Sequence, residues 1–143
     1  MIEIDRQSLS TEWLRFVPVR MLYEFDGPRI FTCQNVNGQI FLAYQCDEAA
    51  DVQQFLVVPF TEELVGRLVK GHLSVRDALL RSPLWLFEVN NEFTPIRCWT
   101  VEFGDLPKHA LPRAGTLLWA NLNDVSKVQI DPSSQVPTLT GTV

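Results

Sequence analysis

The segment from Pro59 to Pro83, PFTEELVGRLVKGHLSVRDALLRSP, constrains the fold most, because it predicts two short helices separated by one glycine. Thr61 and Ser74 are favourable N-caps, since a hydroxyl oxygen accepts a hydrogen bond from an unpaired amide of the first turn. Gly71 supplies the left-handed residue that commonly ends a helix. We therefore predict helices over about residues 61–70 and 74–81. Helices this short do not persist alone in water, so they must pack on neighbouring strands.

The residues inside each predicted helix support this interpretation. The first helix has one apolar stripe, formed by Leu64, Val65, Leu68 and Val69. In the second helix, Asp77 follows Ser74 at the spacing of a capping box, with Asp in place of the preferred Glu or Gln. Pro83 ends this helix, because it disfavours the helical conformation of the residue before it.

Runs of apolar, β-branched and aromatic residues on both sides of the helical pair predict strands. The predicted strands cover residues 16–25, 29–36, 39–45, 52–59, 84–89 and 96–103. Asp26-Gly27 and Asn37-Gly38 lie between strands, and the second pair predicts a type I′ turn. Strands joined by short hairpins are antiparallel. The sequence therefore predicts an α+β domain, an antiparallel meander sheet of five to six strands with the helical pair packed on it.

The length of 143 residues predicts one domain, over residues 1–130. Residues 131–143, DPSSQVPTLTGTV, have little to bury and predict a flexible tail. Ser8 or Ser10 is a candidate cap for a short helix over residues 11–15. Residues 106–115 predict an ordered loop that crosses the sheet. Residues 116–121 predict a short last strand. The acidic start of the chain is unlike a signal peptide, and no apolar run approaches the roughly 18 residues of a membrane span. We expect a cytoplasmic protein.

A helical pair with a tight turn also suggests a helix-turn-helix that binds DNA. The predicted second helix carries Arg76 and Arg81 as its only cations, and the chain has a formal charge of −5. Phosphate contacts supply most of the affinity for DNA, so this charge argues against a nucleic-acid partner.

No motif in the sequence points to catalysis, a cofactor or a metal. Cys33, Cys46 and Cys98 are widely spaced, and the two histidines, His72 and His109, are far apart in sequence. Cys33 could act as a nucleophile only if its pKa were lowered, and no basic cluster lies near it in the sequence. Glu24 and Asp26 could form a carboxylate pair, but their position beside a turn favours solvated hairpin ends. We expect a protein that is not an enzyme and holds no cofactor or metal.

The distribution of charge is the one uneven feature. Between Arg29 and Arg67 there is no lysine or arginine, and five carboxylates fall inside that span: Asp47, Glu48, Asp51, Glu62 and Glu63. They could simply be solvated and complement a helix N-terminus. The alternative is an acidic contact surface for a basic protein partner, since complementary charge speeds encounter and selects partners.

The chain resembles an uncharacterised family of small bacterial domains of unknown function. The residues that carry the resemblance are LYEFDGP (22–28), LVVPFTEELVGRLVKGHLSVRDALL (56–80), WLFEV (85–89) and the LP…LPRAGTLL segment (106–118). The resemblance covers most of residues 20–120. It implies a bacterial or phage-derived origin and supplies no activity or catalytic residues.

Three functions follow as hypotheses. The first is a non-enzymatic binding or adaptor module, as an inhibitor or accessory subunit in a bacterial conflict or regulatory system, which acts through the five carboxylates. The second is a small-molecule-sensing domain with a pocket between the sheet and the helical pair, and the third is an enzyme with an unfamiliar site. Most of the four tryptophans are expected in the core, and any that faces solvent is a candidate interface anchor: Trp13, Trp85, Trp99 and Trp119. An open sheet edge also allows homo-oligomers.

Overall fold

The structure, a computed structural model, describes residues 1–118. The strands are β1 (Leu14–Glu24), β2 (Pro28–Asn35), β3 (Ile40–Glu48), β4 (Val52–Pro59), β5 (Leu84–Asn90) and β6 (Pro95–Val101). The helices are α1 (Glu62–Val69) and α2 (Val75–Leu79), and two single-turn 3-10 helices follow at Phe103–Asp105 and Lys108–Ala110. The six strands form one sheet in the order β1-β2-β3-β4-β5-β6, and every neighbouring pair is antiparallel. The predicted α+β meander with a helical pair is confirmed.

Both helices pack on one face of the sheet. Val65 and Leu68 of α1, and the three buried residues of α2, belong to a core cluster that includes sheet residues such as Leu42, Leu56 and Leu86. The predicted N-caps are confirmed, because the Leu64 amide donates to Thr61 Oγ1 at 3.1 Å and the Asp77 amide donates to Ser74 Oγ at 3.0 Å. α2 ends two residues before its predicted end. Within residues 1–118 the Asp77 carboxylate accepts no hydrogen bond from the Ser74 amide, so only half of the predicted capping box forms.

The opposite face of the sheet carries a second core of mostly aromatic side chains. Phe16 of β1 lies among four rings, with ring centroids 5.0 to 5.9 Å away: Phe31, Phe55, Phe87 and Phe93. In a flat sheet, β1 and β5 would be four strand spacings apart, about 19 Å. The contact between Phe16 and Phe87 therefore requires a strongly curled sheet that encloses the aromatic cluster.

The predicted helix over residues 11–15 is wrong. β1 already begins at Leu14, which pairs with Asn35 of β2. Leu14 and Phe16 point into the aromatic cluster, while the intervening Arg15 is exposed. This alternation fits a half-buried strand, and burial of these side chains overrides the serine caps.

Residues 1–9, which we call the strap, run along the free edge of β6. The Leu9 amide donates to the Cys98 carbonyl at 2.7 Å, the Cys98 amide donates to Ser8 Oγ at 2.9 Å, and Trp99 Nε1 donates to the Arg6 carbonyl at 3.0 Å. Further towards the start of the chain, Ile2 is buried in the helix-side core. The strap thus leads from the helix-bearing face, past β6, to the start of β1.

The hairpin between β2 and β3 is confirmed, but its turn is not of type I′. That turn type needs a positive φ at both central residues, and here Gly38 has φ +84° while Asn37 does not adopt a positive φ. Asn35 explains the difference, because its Oδ1 accepts hydrogen bonds from the amides of Asn37 and Gln39, both at 2.9 Å. This side-chain turn mimics a backbone turn and fixes a longer loop.

The segment predicted as a loop over residues 106–115 packs on the helix-bearing face and contains the 3-10 helix Lys108–Ala110. Its Ala110 is buried, and the Pro112 carbonyl accepts a hydrogen bond from Arg76 of α2 at 3.1 Å. The predicted tail at 131–143, and most of the predicted strand at 116–121, lie outside the described residues. Within the described part, no helix has the length and apolar character needed to cross a membrane.

Candidate functional site

The meander topology gathers carboxylates at one end of the sheet. Turns between successive antiparallel strands alternate between the two ends of a sheet, so the β1–β2, β3–β4 and β5–β6 turns lie at the same end. The register agrees, since Val52 at the start of β4 pairs with Asn90 at the end of β5. We call this region the acidic end, and its carboxylates belong to Glu24, Asp26, Asp47, Glu48, Asp51 and Glu92.

The five carboxylates singled out in the sequence do not form one patch. Asp47, Glu48 and Asp51 lie at the acidic end, before β4 begins. Glu62 and Glu63 follow the other end of β4 and form the first turn of α1. Eight residues of extended chain separate the two groups by about 26 Å. The structure thus brings three of the five together and places the other two at the opposite end.

Asp47 connects the end of β3 to the loop after β6. Its carboxylate lies 3.0 Å from Nε2 of His109, and it also accepts a hydrogen bond from the Glu48 amide at 2.8 Å. The hydrogen bond with His109 is the largest cause that lowers the pKa of Asp47 below its usual value. Asp47 is therefore ionised at neutral pH, and its carboxylate is already hydrogen-bonded within the molecule.

Glu48 has an internal partner too. Its carboxylate lies 2.6 Å from a guanidinium nitrogen of Arg29, and the same guanidinium donates to the Gln45 side chain and to the Phe25 carbonyl. In contrast, the other four carboxylates of the acidic end have no ion-pair partner within residues 1–118. Most of the charge at this end is available to an external cation.

A polar row lies beside the acidic end on the helix-bearing face. The side chain of Gln54 is fully buried; its Nε2 donates to Glu88 Oε2 at 2.9 Å and to the Ile2 carbonyl at 2.7 Å, and its Oε1 accepts from the Ile2 amide at 3.0 Å. Glu88 also forms an ion pair with Arg97 on the neighbouring strand. Because every member of the row is bonded, we assign it a structural role, which is to hold the start of the strap.

A shallow groove opens next to the β1–β2 turn. It has a volume of about 320 Å³ and mostly apolar walls. Its lining residues are Tyr23, Phe25, Arg29, Ile30, Tyr44 and Gln45. Phe25 is 60% exposed, which is a large exposed area for an aromatic residue beside a turn. The groove and the acidic end share the β1–β2 turn, so an apolar and a charged surface meet there.

The interface between the sheet and the helices is lined by buried side chains. Val65, Leu68, Val75, Ala78 and Leu79 have at most 1% of their surface exposed. The sensing hypothesis placed a pocket at this interface, and that hypothesis stays a prediction.

The cysteines offer no activated nucleophile. Cys33, Cys46 and Cys98 are buried and free, and burial raises the pKa of each thiol to about 12. The three thiols are thus protonated at neutral pH, and the thiolate is the nucleophilic form. No group of three or more potential metal ligands occurs among the residues that the structure describes.

The tryptophans are core residues in the described part. Trp13 and Trp85 belong to the aromatic face with ring centroids 4.7 Å apart, and Trp99 is buried on the helix side. Trp119 lies outside the described residues. The exposed aromatic side chain next to the acidic end is instead Phe25, which the sequence analysis did not single out.

The sequence analysis identified neither Phe25 nor Glu92, because a single turn does not show which other turns lie beside it. The order of the strands supplies that information. In a six-strand meander, the first, third and fifth turns share an end, and each of them carries acidic residues in this sequence. Combining the predicted strand order with the charge of alternate turns would have found the acidic end.

Comparison with known proteins identifies a family of unknown function. Neither the curated proteins nor the solved structures include a match to this chain. The model of DUF6575, described as a family of unknown function, matches residues 13–136. This match confirms the resemblance to an uncharacterised domain family. The chain belongs to the DUF6575 family.

Proposed function

We propose that this protein is a non-enzymatic protein-binding module that docks a basic partner at its acidic end. The observation that supports the proposal most is the convergence of six carboxylates on three neighbouring turns, with Arg29, His109 and the Met1 amino group as their internal partners. Such a surface attracts cationic side chains over a distance of about 8–10 Å at ordinary salt. Complementary charge of this kind raises association rates and rejects acidic partners.

The same surface argues against two other classes of partner. Nucleic acids and anionic lipid surfaces are recognised by lysine and arginine clusters, and this end of the sheet carries the opposite charge. The biological setting that we propose is cytoplasmic, as an adaptor, inhibitor or accessory subunit in a bacterial conflict or regulatory system. This setting rests on sequence resemblance and composition.

The proposal is tested with two matched double variants of the full chain. Glu24→Lys with Asp51→Lys reverses two carboxylates of the acidic end, and Glu62→Lys with Glu63→Lys reverses two at the opposite end. Tagged proteins are isolated from the native cell with their bound partners, which are quantified at about 50 and 300 mM salt. We expect the first variant to lose partners that the wild type retains at low salt, while the second retains them.

Thermal unfolding of both variants serves as the folding control. Neither Glu24 nor Asp51 has an ion-pair partner in the described residues, so its reversal should change stability by less than about 0.5 kcal/mol. Equal partner recovery by the wild type and the acidic-end variant, with both folded, would refute the proposal.

The alternative function is small-molecule sensing, for which the groove beside the β1–β2 turn offers a site. The groove is at the lower limit of about 300–1,000 Å³ for ligand pockets. A nucleotide or metabolite that raises the unfolding temperature of the wild type, and not that of a Tyr44→Ala variant, would favour this alternative.

A further inference from the structure

The groove next to the β1–β2 turn has a specific architecture. Tyr23 and Tyr44 are the register partners of Ile30 on either side, so the three side chains form one row across β1, β2 and β3. Ile30 is buried between the two half-buried tyrosines, and Phe25 forms the outer wall. Within residues 1–118, neither phenolic hydroxyl has a hydrogen-bond partner in the protein. The groove thus offers aromatic walls and two hydroxyls that a guest can bond.

Arg29 holds the outer wall in place. Its Nε donates to the Phe25 carbonyl at 2.6 Å, and its Nη1 donates to the side chains of Gln45 and Glu48. The positive charge of Arg29 is therefore paired with Glu48, and the backbone at Phe25 is held in place. A backbone fixed in advance costs less conformational entropy when a guest binds.

The charge around the groove determines the chemistry of that guest. Glu24 and Asp26 flank Phe25 in the chain, and Asp51 lies at the next turn of the same end. Around the groove, the available carboxylates outnumber the cations, because Arg29 is already bonded. A neutral apolar guest would leave these carboxylates without a partner, whereas flanking lysines or arginines would pair with them.

We propose that the groove binds a large apolar side chain from a lysine- or arginine-rich segment of a partner protein. The inference rests on the proposed function and specifies its partner. The apolar side chain of the guest and the ring of Phe25 remove each other's apolar surface from water, and the cations on either side of the guest anchor pair with the acidic end. A second copy of this chain is disfavoured as the guest, because both copies would bring acidic residues to the contact.

The test begins with a displayed library of random linear peptides, selected against the wild-type protein. We expect the selected peptides to share a large apolar residue with at least one lysine or arginine on each side. Peptides without cations, or a selection that yields no specific binder, would overturn the inference.

One selected peptide is then synthesised, and its affinity is measured for three variants. Phe25→Ser removes the outer wall, and because Phe25 is exposed the protein should fold. Phe103→Ser is the matched control, since Phe103 is 41% exposed in the 3-10 helix beyond the opposite end of β6. We expect about tenfold weaker binding for Phe25→Ser, as for an interface hot spot, and unchanged binding for Phe103→Ser.

The third variant, Glu24→Lys with Asp51→Lys, separates this inference from the proposed function. It should weaken peptide binding and reduce its salt dependence. If this variant weakens binding while Phe25→Ser does not, the acidic end binds the partner and the groove does not, so only the inference fails. If neither variant weakens binding, both fail. A dimer of the unbound protein that Phe25→Ser abolishes would also overturn the inference, because the occupant would then be a second copy.

Discussion

Asp47 shows how one side chain at the acidic end connects parts of the chain that are far apart in sequence. It lies one residue before the end of β3, and His109 reaches it from the loop after β6, 62 residues further along the chain. Because this contact lowers the pKa of Asp47 in the folded protein, it contributes to stability only while the carboxylate is ionised.

We predict a pH-dependent loss of stability for Asp47→Asn. The folded pKa lies below the unfolded value, so the contribution is fully present above the unfolded pKa, near 3.8, and is lost as the pH falls through the folded pKa. At pH 6 the variant should be less stable by a few tenths to about 1 kcal/mol, as for an exposed pair. Urea unfolding at several pH values measures this difference, which should shrink below about pH 4.

Val17→Ala is the control for this prediction, because Val17 is exposed and its side chain does not titrate. Its stability relative to the wild type should stay constant over the same pH range. A constant difference for Asp47→Asn would show that His109 does not stabilise the ionised carboxylate.

The strap is the element that the sequence described least well. It has no regular structure and little hydrophobic periodicity, so nothing in residues 1–9 marks it as a partner of β6. The edge of β6 has backbone groups that need partners, and the strap supplies the Leu9 amide to the Cys98 carbonyl and the Ser8 hydroxyl to the Cys98 amide. The Arg6 carbonyl accepts from the side chain of Trp99.

We predict that Leu9→Pro weakens the strap and that Leu9→Ala does not. Proline removes the amide that donates to the Cys98 carbonyl at 2.7 Å, whereas the Leu9 side chain is 50% exposed and contributes little. Loss of this bond should cost about 0.5–1.5 kcal/mol, measured by urea unfolding, because the Cys98 carbonyl still accepts from Ser8 Oγ. Sedimentation should also show self-association of the proline variant, because an open edge pairs with other strands. Equal stability of the two variants, both monomeric, would contradict this role.

The elements that the sequence predicted correctly are those with a local signal. Thr61, Ser74 and Gly71 define the helical pair through bonds and dihedral angles within one turn, and the structure keeps all three. The structure does not bring the five carboxylates into one patch, because residues that are close in sequence lie far apart in space when a strand separates them. Asp51 and Glu62 are 11 positions apart, and β4 carries them to opposite ends of the sheet.

At the scale of the whole molecule, β1 belongs to both cores. Its first residues, including Phe16, lie in the aromatic cluster, and Leu22 near its end lies in the helix-side core. The change of face coincides with the irregular register between Arg15 and Arg20. A regular strand keeps its alternation, so this irregularity lets one strand cover the inside of the curled sheet and then join its helix-bearing face.

We therefore predict that Phe16→Ala destabilises the whole domain. Its ring is 4% exposed and contacts rings from β2, β4, β5 and the β5–β6 turn. Truncation of a buried phenylalanine costs about 3–5 kcal/mol, which is a large part of the roughly 5–15 kcal/mol that stabilise a typical domain. Val17→Ala is the matched control, because Val17 is 65% exposed and should change stability by less than about 0.5 kcal/mol. Urea unfolding of both variants measures these values. Similar stabilities would mean that the ring contacts of Phe16 do not maintain the curl of the sheet.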